Sequence, residues 1–165
     1  MEERFLNLNF TDTLLNIIRK IEFEKSMKWS DRTFRFARPI KWFVTLLGNK
    51  VLPFEFEEIK GSNRTRGMRY FASQEAEIPI PAEYETILEK NFVIAKKDRR
   101  KEEILKSIKE NCENDGDVAL VNNYLLEEVI NLVEYPYAIK GEYNKDYLLL
   151  PEDITTITME THQRY

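Results

Sequence analysis

An α+β fold, with a mixed, mostly antiparallel sheet and packed helices, is what this sequence predicts, on three observations. Some stretches repeat apolar residues at three- and four-residue spacing, the period of a helix with one buried face. Others are short runs of β-branched and aromatic residues bounded by turn signals, the pattern of strands. No internal repeat or linker separates them, so helices and strands share one architecture. The chain has 165 residues, 42% of them hydrophobic, which suffices to bury a core. We therefore expect one compact domain over 1–165, with residues 1–24 as a helical lead-in.

The elements follow in chain order. From Thr11 to Phe23, Leu14, Leu15, Ile17, Ile18 and Ile21 form an amphipathic stripe, with Thr11 or Asp12 as the candidate N-cap. Pro39 breaks any helix through Lys25–Trp42, so a loop leading into a strand is expected there. Trp42–Leu47 and Val51–Ile59 flank Gly48, Asn49 and Lys50 and predict a hairpin, with Phe54, Phe56 and Ile59 toward the core. Residues 61–67 are expected as a loop and the aromatic segment around Arg69, Tyr70 and Phe71 as a strand. Ile78-Pro79-Ile80-Pro81 is extended, and Pro81 suits the first position of a helix over Ala82–Lys90. A short strand is expected at Phe92–Ala95, then a charged helix from Lys96 to Asn111 with Ile104, Leu105 and Ile108 on its apolar side. Asn114-Asp115-Gly116-Asp117 ends that helix. A helix over Asn123–Leu132, a strand around Tyr137–Lys140 and a turn or helix started by Pro151 complete the chain. The β-branched residues within Ile154–Tyr165 leave that segment's class open.

Several function classes are excluded or weakened. The longest apolar stretch, Trp42 to Leu47, is interrupted by Thr45 and ends at Gly48, far short of the roughly 20 residues a membrane span needs. The N-terminus lacks the basic start and apolar middle of a secretory signal, so no membrane association and a cytoplasmic location are expected. One cysteine, Cys112, rules out an intrachain disulfide and a cysteine-based metal cluster. The five glycines never cluster as phosphate-cradling loops require. His162, the only histidine, has no cysteine or second histidine to join it in a zinc site. An acid/base set of His162 with Glu160 and Glu152 is weaker than a surface or packing role for a lone histidine. Ser26, Ser30, Ser62 and Ser73 lack any nucleophile-elbow context. Glu55, Glu57 and Glu58 read as the solvated side of a strand whose phenylalanines face the core. No catalytic residue is assigned.

Two basic blocks carry more information. Lys25, Lys28, Arg32, Arg35, Arg38 and Lys41 interleave with Trp29, Phe34, Phe36 and Trp42, combining phosphate attraction with flat rings on which bases stack. The competing reading is an amphipathic strand whose cations pair with nearby carboxylates. Gly61–Arg69 holds Arg64, Arg66 and Arg69 among small residues and suits RNA contact, a protein interface or a solvated loop. A net charge of -4 argues against a dedicated nucleic-acid module, DNA-binding included. Lys96–Glu103 is mixed in sign and is expected as a solvent-facing helix with local ion pairs.

The same blocks resemble a known family. Lys25-Ser26-Met27-Lys28-Trp29, Arg35-Phe36-Ala37-Arg38-Pro39-Ile40-Lys41-Trp42 and Thr65-Arg66-Gly67-Met68-Arg69-Tyr70 look like successive signatures of the bacterial glycyl-tRNA synthetase β subunit. Leu125-Leu126-Glu127-Glu128-Val129 with Leu132–Pro136, then Leu150-Pro151-Glu152 and Thr158–Tyr165, continue the pattern in order. Met68 stands where the family commonly has histidine, so no role of that side chain transfers. The resemblance implies an internal fragment of a larger multidomain subunit, B3/B4-like in fold, similar to that domain of the phenylalanyl-tRNA synthetase β subunit. It also implies an α2β2 enzyme joining glycine to its tRNA, with ATP and Mg used through the α subunit and no cofactor bound by this chain. The expected partners are the α subunit, the rest of the β subunit and the tRNA for glycine. Within that frame the chain is a non-catalytic tRNA-handling or scaffolding domain, with Lys25, Lys28, Arg35, Arg38, Arg64, Arg66 and Arg69 as candidate RNA contacts. The rival readings are a purely structural subunit-interaction module and a tRNA-editing hydrolase, for which no editing residue is matched.

Overall fold

A computed structural model describes residues 2–29, 31, 33–113 and 116–164, with the side chains of 2–9 and 163 excepted. Ser30, Arg32 and Tyr165, and the Asn114-Asp115 part of the expected helix end, lie outside the described residues. The architecture is α+β, with small and mostly antiparallel sheets. It divides into two compact units, residues 1–91 and 92–165.

In the first unit, α1 (Glu2–Lys20) starts well before the expected Thr11. Thr11 is therefore no N-cap; its hydroxyl donates instead to the Pro53 carbonyl at 2.8 Å, tying the helix to the strands. β1 (Met27–Lys28) and β2 (Arg35–Phe36) form an antiparallel hairpin. β3 (Phe43–Val44) pairs in parallel with β7 (Ile59–Ser62), which also pairs antiparallel with β6 (Glu55–Phe56). β4 (Leu46–Leu47) and β5 (Lys50–Val51) form a second hairpin, narrower than expected, with Gly48 at φ 60° in its two-residue loop. The expected strand Val51–Ile59 is broken at Glu57 and Glu58, whose φ values of 49° and 65° make a left-handed turn between β6 and β7. Such turns favour Asn and Gly, so two glutamates give no signal of one.

Residues 61–67 are not the expected loop. They complete β7 and then form β8 (Arg64–Arg66), paired antiparallel with β9 (Glu75–Glu77). Period-two alternation explains this: Thr65 is buried while Arg64 and Arg66 point out, as the pleat demands. The expected strand around Arg69–Phe71 is a turn instead. Pro81 opens a 3-10 turn, Pro81–Glu83, that runs into α2 (Tyr84–Lys90). Leu52, Phe54, Phe56, Ile78 and Leu88 make the buried apolar set of this unit. Gly61 passes so close to Thr45 that a Cβ there would lie 2.3 Å from its Oγ1.

The second unit packs α3 (Lys97–Glu113) on α4 (Asn123–Leu132) through Ile104, Leu126 and Ile130, backed by Ile108, Val129 and Val133. Asn122 caps α4, its side chain accepting from the amides of Tyr124 and Leu125. Arg100, inside the run expected to face solvent, turns inward. It donates to the carbonyls of Ile130 (3.0 Å), Ile94 (2.7 Å) and Ala95 (2.9 Å), stitching α3 to the end of α4. Neither Phe92–Ala95 nor Tyr137–Lys140 pairs as a strand; Ile94 makes one backbone bond, to Glu134. A 3-10 turn at Lys145–Leu149, α5 (Glu152–Ile157) and a π-helical turn at Thr158–Gln163 follow, resolving the open segment as helical. No described helix is long and apolar enough to cross a membrane.

Candidate nucleic-acid interface

The hairpin β1–β2 carries four of the seven candidate cations. Lys28 sits directly opposite Arg35 in the ladder, with Lys25 just before β1 and Arg38 just after β2; all four are exposed. Two like charges facing each other across an antiparallel pair oppose strand pairing. Arg35 is partly satisfied, donating through Nη2 to the Ser26 carbonyl (2.6 Å) and through Nε to Ser26 Oγ (3.2 Å). Among the described residues, none of Lys25, Lys28, Arg35 and Arg38 has a carboxylate in ion-pair range.

What holds this charged hairpin is its aromatic side. Phe36 meets Phe23 edge to face at 4.6 Å, Phe34 meets Phe56 at 4.8 Å and Trp29 meets Phe34 at 6.1 Å. Phe43 continues the cluster to Phe54 and Phe56. Trp29, Phe34 and Phe36 are therefore half-buried anchors and not the free stacking surfaces expected from their interleaving. Trp42 is more open at 41% exposure, and the Arg66 guanidinium carbon lies 5.9 Å from its ring centroid, a cation–π geometry.

Arg64 and Arg66 differ from the hairpin cations. The ladder puts Arg66 opposite Glu75 and Arg64 opposite Glu77, so cation faces carboxylate at each step. Arg66 Nη2 is 2.9 Å from Glu75 Oε1, and Arg64 Nη1 is 3.5 Å from Glu75 Oε2. The hydrogen bond from Arg66 holds the Glu75 carboxyl below its usual range. Glu77 accepts from Asn63 Nδ2 at 2.9 Å. The face of β8–β9 is thus locally charge-balanced, and Arg-Thr-Arg answered by Glu-Ala-Glu is the sequence signal that would have revealed the pairing. Arg69 is exposed in the turn that follows.

The remaining candidates are dispersed. His162 is exposed in the C-terminal π turn, while Glu160 accepts from Asn122 Nδ2 at 2.9 Å. Among the described residues, no group of three or more His, Cys, Asp or Glu side chains is placed to hold a metal ion. In the second unit Lys97 and Lys101 both pair with Glu127, and the hydrogen bond from Lys97 lowers its pKa. Arg164 donates twice to Glu128, and that bond raises the Arg164 pKa.

Comparison with known proteins assigns this α+β chain to the aminoacyl-tRNA synthetases. The family model described as glycyl-tRNA synthetase beta subunit matches residues 4–165. The chain belongs to that family. It is 38% identical over 154 residues to the glycine–tRNA ligase beta subunit of Halothermothrix orenii, covering 93% of this chain and 22% of that protein. The corresponding subunit of Clostridioides difficile is 40% identical over the same length and shares. That of Oceanobacillus iheyensis is 41% identical over 150 residues, 91% of this chain and 22% of the relative. The chain therefore spans about 22% of the length of these curated relatives.

Proposed function

We propose that this chain is a tRNA-handling part of a glycine–tRNA ligase β subunit, and that the β1–β2 hairpin makes the contact. The observation that carries the reading is the like-charge pair Lys28–Arg35, flanked by Lys25 and Arg38, none of the four ion-paired among the described residues. Unfavourable in isolation, such an arrangement is relieved by an anion, and phosphate oxygens are the anions a tRNA offers. Arg64, Arg66 and Arg69 form a secondary set, since Glu75 already neutralises part of the first two. The enzyme joins glycine to tRNA with ATP and magnesium through its α subunit, and this chain performs no chemical step itself. Its partners are that α subunit, the rest of the β subunit and the glycine tRNA, in the cytoplasm.

The test is glycylation by the intact enzyme. Lys25→Glu, Lys28→Glu and Arg38→Glu together should raise the tRNA KM about tenfold, ~1.4 kcal/mol, and leave the KM for glycine and ATP unchanged. An unaltered tRNA KM removes the hairpin from tRNA handling.

A scaffolding role is favoured by a separate observation. Leu120, Tyr137 and Ile139 in the second unit are each more than three-quarters exposed and line one groove, and contiguous apolar surface of that kind marks contact with another segment. The two roles occupy different units and are compatible.

A further inference from the structure

The second unit holds a groove of about 650 Å³ whose walls include Leu120, Val129, Tyr137 and Ile139. The core helices α3 and α4 form its floor through Ile104 and Leu126. Two stretches without helix or strand pairing border it, residues 117–121 and 136–141. Val118 and Leu120 are 85% and 90% exposed, and Tyr137 and Ile139 are 79% and 80% exposed. Two ion pairs stand at its rim, Lys140 with Asp117 and Arg164 with Glu128. Among the described residues that line the groove, Arg164 is the one charged side chain, so the lining itself offers an ionic ligand no unmet charge.

The main chain is more informative than the side chains. Ala138 donates its N–H to Ser107 Oγ (3.0 Å) and accepts at its carbonyl from Asn111 Nδ2 (2.8 Å). Both of its polar groups thus turn toward α3. In a strand, neighbouring residues present their polar groups to the opposite edge. Tyr137 and Ile139 flank Ala138 with the exposed–half-buried–exposed alternation of a strand. Their N–H and C=O groups make no backbone hydrogen bond among the described residues, and neither do those of residues 118–121. A covering helix would leave this ladder of donors and acceptors unsatisfied, whereas an added strand pairs with it.

We infer that the groove seats an extended, apolar strand from the same polypeptide, paired along residues 137–139 and packed on Leu120 and Ile139. This rests on the reading that the chain works within a β subunit several times its length, since it spans about 22% of its relatives. That length supplies the occupant without a second protein, and a lining whose described residues are uncharged apart from the paired Arg164 suits an uncharged strand over nucleic acid.

The experiment uses the full-length β subunit in complex with its α subunit, followed by hydrogen–deuterium exchange. The amides of Tyr137 and Ile139 should exchange at least about 100-fold slower than an unstructured peptide. Exchange at the unstructured rate while α3 and α4 stay protected overturns the inference. In the same protein, Tyr137→benzoyl-phenylalanine should on irradiation cross-link to a segment of its own chain outside these 165 residues. A cross-link to a second copy or to the α subunit, or protection lost on dilution, also overturns it. Glycylation by the same preparation tests the underlying reading separately: an active enzyme with an unprotected groove defeats the strand alone, and an enzyme that charges no tRNA with glycine defeats the reading.

Discussion

Replacing Phe56 by alanine probes the anchor of the charged hairpin. The ring is 3% exposed and lies between Phe34, at 4.8 Å on the hairpin side, and Phe43, at 6.2 Å on β3. Truncating a fully buried phenylalanine costs about 3–5 kcal/mol, through lost transfer energy and the cavity left behind. The two edge-to-face contacts are included in that figure. With a urea slope of roughly 2 kcal/mol/M for a unit of this size, the unfolding midpoint should fall by about 2 M. Phe56→Leu keeps most of the volume and loses the ring contacts, so its cost should be nearer ~1 kcal/mol. Tryptophan fluorescence is the suitable assay, because Trp29 and Trp42 are the chain's two tryptophans and both belong to the first unit. A Phe56→Ala cost below about 1 kcal/mol would refute the reasoning, since it would mean that the aromatic cluster does not hold the hairpin to the sheet.

Two further predictions concern the same unit. Gly61→Ala places a methyl 2.3 Å from Thr45 Oγ1 and 3.1 Å from Phe54 Cβ; both neighbours are buried, so overpacking should cost about 1–3 kcal/mol by urea denaturation. Glu75→Gln removes a carboxylate whose pKa Arg66 depresses from the ordinary 4.5. A depressed folded-state pKa gives stability that is present above 4.5 and lost as pH falls below it, so wild type and variant should differ at neutral pH and converge in acid, as read by thermal unfolding at several pH values.

The parts of the fold legible in the sequence were those set by local periodicity. α4 runs from Asn123 to Leu132, where its apolar spacing put it, and Pro81 starts a helical segment as its fixed φ suggests. Phe54 and Phe56 are buried because strand alternation decides their side. Failures cluster where a partner distant in sequence decides the outcome. Arg64–Arg66 became a strand through its match with Glu75–Glu77, and Glu57–Glu58 turned without any residue that favours a left-handed turn. Arg100 was hidden in a charged run because the carbonyls it binds lie six and thirty residues away. Tyr137–Lys140 showed strand alternation in its composition but finds no pairing strand among the described residues. For the candidate interface, the residue types were legible, whereas the division into an unbalanced hairpin and a balanced strand pair required the register.

The salt dependence of tRNA binding by the intact enzyme tests that division most directly. Each phosphate contact contributes about 0.7–0.9 to the slope of log K against log salt, so reversing Lys25, Lys28 and Arg38 together should flatten the slope by roughly 2–3. Identical slopes for wild type and variant would contradict the hairpin's role in holding tRNA.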